Sequence, residues 1–283
     1  MATLKKGSKG DAVKKLQSAL LRLGYTVTSD GVFGNDTMKA VISFQRDNGL
    51  SPDGAVGVNT QAVIDYLLNS DPVTGIDVSH HNGLINWNLV NNRQVEFVFC
   101  KATQGRTYKD ELLQTNMSEL ARLGFNRGAY HFFSFMGVGA QEQADNFLGC
   151  KIDFSVKGVL PPVIDVEWQA TAAINDYIVQ NRKACAQKIQ DWLDIVEKAT
   201  KRKPIIYTAR GFWNDILGNP AGFEQYPLWV ASYRNDRPTM PGNWAAYQIW
   251  QYTESGQVQG IPGNVDKNIF NGTRQQLKKL ASP

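Results

Sequence analysis

At 283 residues, 42% apolar and 20% charged, the chain has room for one large globular domain or two unequal ones. Its formal charge of +4 is spread out: residues 1–70 carry 8 Lys+Arg against 6 Asp, a net +2, so nucleic-acid binding has little support. No run reaches the about 18 apolar residues of a membrane helix, the start MATLKKGSKGDAVKK lacks a leader's apolar stretch, and Cys100, Cys150 and Cys185 fit neither a disulfide framework nor a zinc knuckle and are expected as reduced core thiols.

The first seventy residues hold an internal repeat. Asp30-Gly31-Val32-Phe33-Gly34-Asn35-Asp36-Thr37 and Asp53-Gly54-Ala55-Val56-Gly57-Val58-Asn59-Thr60 share D-G-x-x-G-x-x-T. Each copy reads as a glycine turn followed by helix-capping residues. Three apolar stripes at helical spacing go with them: Val13, Leu16, Leu20 and Leu23; Met38, Val41 and Ile42 with Phe44 beside them; and Val63, Ile64 and Leu67. A small three-helix domain over 1–68 is expected, with 69–74 as the linker because Asn69-Ser70-Asp71-Pro72 is polar and ends in proline. The acids are too few and badly spaced for an EF-hand loop, which leaves them turn-making work. The segment from GSKGDAVKKLQSALLRLGY through DGAVGVNTQAVI resembles the type 1 peptidoglycan-binding domains. The resemblance implies a groove between helices for cell-wall glycan or stem peptide, without identifying its residues.

From Gly75 onward, β-rich runs recur: Gly75–Ser79, Glu96–Thr103, Arg127–Ser134, Val159–Trp168, Pro204–Thr208, Leu228–Tyr233, Tyr247–Tyr252 and Val265–Phe270. Helical patterns separate the earlier ones, at Glu111–Leu123, Gly139–Leu148 and Asn175–Thr200. This alternation predicts an α/β fold, a (β/α) barrel of about eight strands filling 75–283. Arg234–Ala246 contains two prolines and no helical stripe, so the barrel is expected to be incomplete, with some final strands antiparallel.

Several strand ends carry polar or aromatic groups. Asp77 closes the first run, Lys101 and Thr103 the second; Tyr130, Tyr207, Tyr233 and Gln251 follow on later ones, and Asp266 opens the last. The run VLPPVIDVEW brings Asp165 and Glu167 onto one face and Ile164 and Val166 onto the other. Two carboxylates within about 7 Å, at a rise of about 3.3 Å per residue, drive their pKa values apart. One then keeps a proton near neutrality while the other stays charged, as glycoside cleavage requires. The plain alternative is a solvated strand end with two ordinary acids. Trp87, Trp168, Trp229 and Trp250 are candidates to line the same mouth with faces for sugar rings, with core packing as the competing role for each.

In order, GIDVSHHNGLINW, VFCKATQG, RGAYHF, PPVIDVEW, PIIYT, LWVASY, IWQYT and VDKNIF resemble family 25 glycoside hydrolases, lysozymes of the N,O-diacetylmuramidase type. The resemblance implies Glu167 as general acid, Asp165 as its partner, Asp77 and Asp266 as further acids, and Tyr130 and Tyr207 as substrate contacts. Lys101, Trp168, Gln251 and Tyr233 complete the expected substrate surface. Gln104 departs from the family's usual K-A-T-E-G, which has Glu there. A family 18 chitinase would carry acids two and five positions before the first acid, where this chain has Val163 and Leu160. A zinc amidase needs a ligand cluster, and His80, His81 and His131 do not supply one; His131 with Cys100 as a thiol-protease pair would sit inside apolar runs.

The expectation is a two-domain peptidoglycan hydrolase, monomeric, needing neither metal nor cofactor and binding neither nucleic acid nor, stably, membrane. It would cut the β-1,4 bond between N-acetylmuramic acid and N-acetylglucosamine. Glu167 would be kept protonated by the negative charges of Asp165 and the other acids. Asp165 would orient the substrate's 2-acetamido group for net retention, with inversion through Asp77 or Asp266 the open alternative. Made in a host cytoplasm and reaching the wall through a holin-type release, it would act as a phage endolysin. A bacterial autolysin and a non-catalytic wall-binding protein are the other readings.

Overall fold

The computed structural model describes residues 3–23, 25–47, 50–69, 72–92, 94–233 and 238–283. Ser70 and Asp71 of the expected linker, the side chain of Leu67 and the first residues of Arg234–Ala246 lie outside the described residues. No helix among them is long and apolar enough to cross a membrane.

Three helices open the chain: α1 (Asp11–Arg22), α2 (Asn35–Asp47) and α3 (Val58–Asn69). Val13, Leu16, Leu20, Phe33, Val41, Phe44 and Ile64 form their shared core, separate from the clusters of the barrel. The repeat has a physical reason beyond its turns. Gly31 and Gly54 take φ of 78° and 72°, a region that favours glycine. Each turn is pinned by a buried glutamine from the preceding helix. Gln17 Nε2 donates to Asp30 Oδ1, Val32 O and Thr37 Oγ1 at 2.9–3.0 Å, and its Oε1 accepts from the Gly31 N–H at 2.8 Å. Gln45 repeats the pattern with Asp53, Ala55, Thr60 and Gly54. Asp30 and Asp53 also accept from the N–H two residues on, so both carboxylates do turn work. Sequence reading found the aspartates and threonines and missed the two glutamines that join them. Gln17→Ala or Gln45→Ala leaves several buried partners unmatched and is expected to destabilise this domain by about 1–3 kcal/mol; an unchanged midpoint in its urea unfolding curve would contradict this role.

The remaining chain builds β1 (Val73–Val78), β2 (Phe97–Gln104), β3 (Tyr108–Lys109), α4 (Leu113–Arg122), β4 (Asn126–Phe132), α5 (Ala140–Leu148), β5 (Val163–Asp165), α6 (Ala172–Gln180), α7 (Arg182–Thr200), β6 (Ile205–Ala209), β7 (Leu228–Ala231), β8 (Ile249–Gly256), β9 (Val265–Phe270) and α8 (Arg274–Leu280). The strands run β1-β9-β8-β7-β6-β5-β4-β2, and β2 pairs back with β1, closing the ring; β3 hangs on β2. Within the ring only β9 is antiparallel to its neighbours. The barrel is therefore incomplete in its helical coat: β8 returns to β9 as a hairpin, and no helix lies in the described part of the β7–β8 connection.

Phe97, Phe99, Val163, Ile205, Trp229 and Ile249 fill the interior, while Ile164, Val166 and their like face the helices. Space for the two phenylalanines comes from glycines on neighbouring strands. A Cβ on Gly75 would lie 2.4 Å from the Phe97 ring, and one on Gly128 2.3 Å from Phe99.

Two elements depart from their sequence patterns. The Val159–Trp168 run yields a strand of three residues because Pro161 and Pro162 have no N–H for the ladder, and beyond Asp165 the chain leaves the sheet over the mouth. The helical pattern 175–200 begins at Ala172 and breaks at Asn181, whose side-chain amide bonds the Tyr177 carbonyl at 2.8 Å and competes with the helical ladder. The N-terminal domain touches the barrel ahead of β8: the Thr26 N–H donates to Ala245 O at 3.0 Å, and Ala246 packs against the three-helix core. That is the end of the barrel opposite the carboxylate-bearing mouth.

Candidate active site

Every strand of the ring delivers a side chain to one mouth. Asp77 comes from β1, Lys101 from β2, Tyr130 from β4, Asp165 from β5, Tyr207 from β6, Trp229 from β7, Gln251 from β8 and Asp266 from β9. With Glu167 just past β5, all of these except Lys101 line a recess of about 70 Å³. Asp266 sits at the start of its strand yet reaches the mouth because β9 runs backwards, putting it in register with Asp77.

A hydrogen-bonded floor holds the acids. Asp77 Oδ2 accepts from Gln251 Nε2 at 3.0 Å and Asn268 Nδ2 at 2.7 Å. Trp229 Nε1 donates to Asn268 Oδ1 at 2.8 Å, fixing that amide. The hydroxyls of Tyr207 and Tyr233 donate to Gln251 Oε1 at 2.8 and 3.0 Å. Asn268 was missed by sequence reading, although it shares the parity of Asp266 in VDKNIF and is fully buried. Asp165 is as buried as Asp77, but its Oδ1 has no hydrogen-bond partner.

These surroundings set the protonation. Burial, then the charge of Asp77, raises Glu167 to about 7, with Lys101 opposing. The leading cause is thus desolvation, where sequence reading credited neighbouring negative charge. Asp266 rises to about 9 through burial, the charge of Asp77 and its hydrogen bond to Asp77. Burial also raises Asp77, but its two amide donors favour the charged form, so Asp266 carries the proton of that pair. Asp165 is pushed well above the carboxylate range by burial and by Glu167.

This has a stability consequence. Carboxyls raised in the folded state bind protons more tightly there than in the unfolded chain. Their contribution is complete below about pH 4, the unfolded value, and is lost as pH rises through about 7 for Glu167 and about 9 for Asp266. The melting temperature is expected to fall from pH 5 to pH 9, less steeply in Asp266→Asn; equal slopes by calorimetry would rule out Asp266 as a contributor.

Other expected residues divide. Trp168 is 45% exposed at the rim, its ring over Gly211 and edge-on to Phe212 at 5.7 Å. Tyr233, 51% exposed, shares the rim. Trp87 and Trp250 do not line the mouth. Trp87 Nε1 is taken by Asn116 Oδ1 at 3.1 Å, Trp250 Nε1 by Ser232 O at 2.7 Å, and both rings pack in the outer layer. Thr103 also faces away: a bulge between Lys101 and Thr103 turns it outward onto His131 Nδ1 at 2.7 Å. Burial depresses His131 to about 3 and pushes the Cys100 thiol up, which leaves a neutral imidazole and an unreactive thiol instead of a protease pair. His80 is tied to Asp110 at 2.8 Å, and among the described residues no group of three or more His, Cys, Asp or Glu is placed to hold a metal.

A barrel, parallel but for β9, whose mouth holds one glutamate raised to near neutrality beside buried aspartates, under exposed aromatic faces, is a glycoside hydrolase. Comparison with known proteins makes this specific. Residues 76–261 match the model of glycosyl hydrolases family 25, and residues 9–64 match that of the peptidoglycan binding domain. The chain belongs to glycosyl hydrolases family 25. It is 39% identical over 211 residues to the protein YegX of Escherichia coli K12, covering 73% of this chain and 72% of that one. It is 34% identical over 212 residues to Lysozyme M1 of Streptomyces globisporus, covering 74% and 71%. The crystal structure of a bacterial lysozyme from Streptomyces coelicolor superposes with a TM-score of 0.71 at 33% identity, over 75% of this chain and 98% of that one.

Proposed function

We propose that the chain is a muramidase that hydrolyses the β-1,4 bond between N-acetylmuramic acid and N-acetylglucosamine in peptidoglycan. The observation that carries this reading is the unpartnered, buried Oδ1 of Asp165 beside Glu167 in a recess of about 70 Å³. Ligand pockets usually enclose about 300–1,000 Å³. A recess this small suits one substituent of a sugar ring that itself lies across the mouth. The 2-acetamido group supplies the N–H that Asp165 lacks.

In the scheme, Asp165 accepts that N–H and turns the acetamido oxygen toward the anomeric carbon. The oxygen bonds to carbon as the bond to the leaving oxygen breaks, and Glu167 gives its proton to the leaving sugar. Water then attacks the same carbon, Glu167 takes its proton, and the acetamido group is restored with configuration retained. The inverting alternative needs a free base. Asp77 is occupied by two amides and Asp266 holds a proton, which favours the retaining route.

The N-terminal domain holds the enzyme to the wall, a reading supported by its family match. We further propose that the enzyme works as a monomer and, as an endolysin, is made in a host cytoplasm and reaches the wall through holin-type release. Lysis of an expressing culture only after membrane permeabilisation would support that route. Mass analysis of digested sacculi tests the activity: new reducing-end muramic acid is expected, whereas reducing-end glucosamine or free stem peptides would replace the reading with a glucosaminidase or an amidase.

A further inference from the structure

One charged group at the mouth has no part in this scheme. Lys101 faces inward on β2, level with Tyr130, which lines the recess. It is only 9% exposed. Among the described residues its Nζ gives one hydrogen bond, to Gln104 Oε1 at 2.9 Å, and lies 5.0 and 5.7 Å from the ring centres of Phe132 and Tyr108. An ammonium has three donors. Among the described residues no carboxylate lies within ion-pair distance of it, although Asp165, Glu167 and Asp110 act on it electrostatically from further away. A buried cation with uncommitted donors is costly unless something completes it.

The geometry points to substrate as that partner: we propose that Lys101 is a specificity residue that donates to the acyl oxygen of the 3-O-lactyl group of the sugar lying over the recess. This rests on the muramidase reading. If the 2-acetamido group enters the recess, the neighbouring ring substituent is the one at carbon 3. In muramic acid it carries an acceptor-only carbonyl or carboxylate, matched to a donor-only ammonium. In glucosamine it is a hydroxyl, which stops short. Gln104, neutral and already bound through its oxygen, steers the ammonium without neutralising it. Lys101 thereby distinguishes muramyl from glucosaminyl sugars at the cleaved bond.

The test uses the full chain carrying Glu167→Gln, so that ligands bind without being cut. Two soluble probes are titrated calorimetrically: a tetrasaccharide of alternating N-acetylglucosamine and N-acetylmuramic acid, and the N-acetylglucosamine tetramer. Adding Lys101→Met should weaken the muramyl probe about 10- to 100-fold, the range of a charged hydrogen bond, and the other probe by less than about threefold. Lys101→Arg should recover part of the loss, and Lys101→Gln serves if the Met variant does not fold. A Lys101 that only balances the acids would instead weaken both probes alike and move the alkaline limb of the wild-type pH profile; that result, or no change for either probe, overturns the proposal. Failure of the wild-type chain to release reducing-end muramic acid from sacculi would sink the muramidase reading separately.

Discussion

Glu167→Gln is expected to lower kcat on purified cell walls by about 10²–10⁴-fold, the usual yield of a general acid, while the protein still pellets with the walls. Glutamine matches glutamate in shape but has no proton to give. The wild-type proton is there to be lost: burial leads and the charge of Asp77 follows in raising Glu167 to about 7, so the acid form is populated at neutrality. The same value fixes the pH dependence. Activity limited by this acid should decline as pH rises through about 7, and the variant should lose that limb. It should also be at least as stable as wild type at pH 8, because an amide replaces a carboxyl that is costly to ionise in the fold. Residual activity within a few-fold of wild type would remove Glu167 from the role and turn attention to Asp266, raised to about 9, and to Asp165, raised well above the carboxylate range.

Much of this site is legible in the sequence because a barrel strand translates parity into direction. Asp165 and Glu167 share a parity, and the pattern that sends Val163 inward and Ile164 outward is visible in ten letters. What the sequence does not carry is anything that disturbs the parity or lies across the ring. The bulge after Lys101 reverses Thr103 with no glycine or proline to announce it. Trp87 and Trp250 look like mouth aromatics until their indole N–H groups are seen to be taken by Asn116 and Ser232 outside the ring. Asn268 gains its importance from Asp77, far away in the chain, through a bond of 2.7 Å. Desolvation is likewise a property of assembled neighbours, which is why the sequence points to the charges of Asp165 and the other acids, whereas burial leads in raising Glu167. In the N-terminal domain the glycine turns were readable, whereas Gln17 and Gln45 sit inside ordinary helical stretches and become turn clamps only once the turns fold back on them.

Asp165→Ala is expected to cost about 10²–10³-fold in kcat, the scale for removing one group that stabilises a transition state, with Asp165→Asn retaining more because its oxygen still accepts an N–H. Azide should rescue neither variant. It replaces a missing carboxylate nucleophile or base, and Asp165 is neither if the substrate's own acetamido oxygen forms the bond. Two measurements separate this from its rivals. The first-formed reducing end, followed by NMR before mutarotation, should be the β-anomer. Substrates whose acetamido group is progressively fluorinated should slow steeply, since fluorine drains the oxygen that attacks. An inverting enzyme would give the α-anomer first and show little response to fluorine. Asp77 would then have to give up at least one of its two amide donors to act as base, and the floor built by Gln251 and Asn268 would need to open during turnover. Rescue by azide with an α-glycosyl azide as product, the single inverting displacement expected when a nucleophile is missing, would sink the reading in a different way: it would make Asp165 a nucleophile although it ends β5 only two residues before the acid.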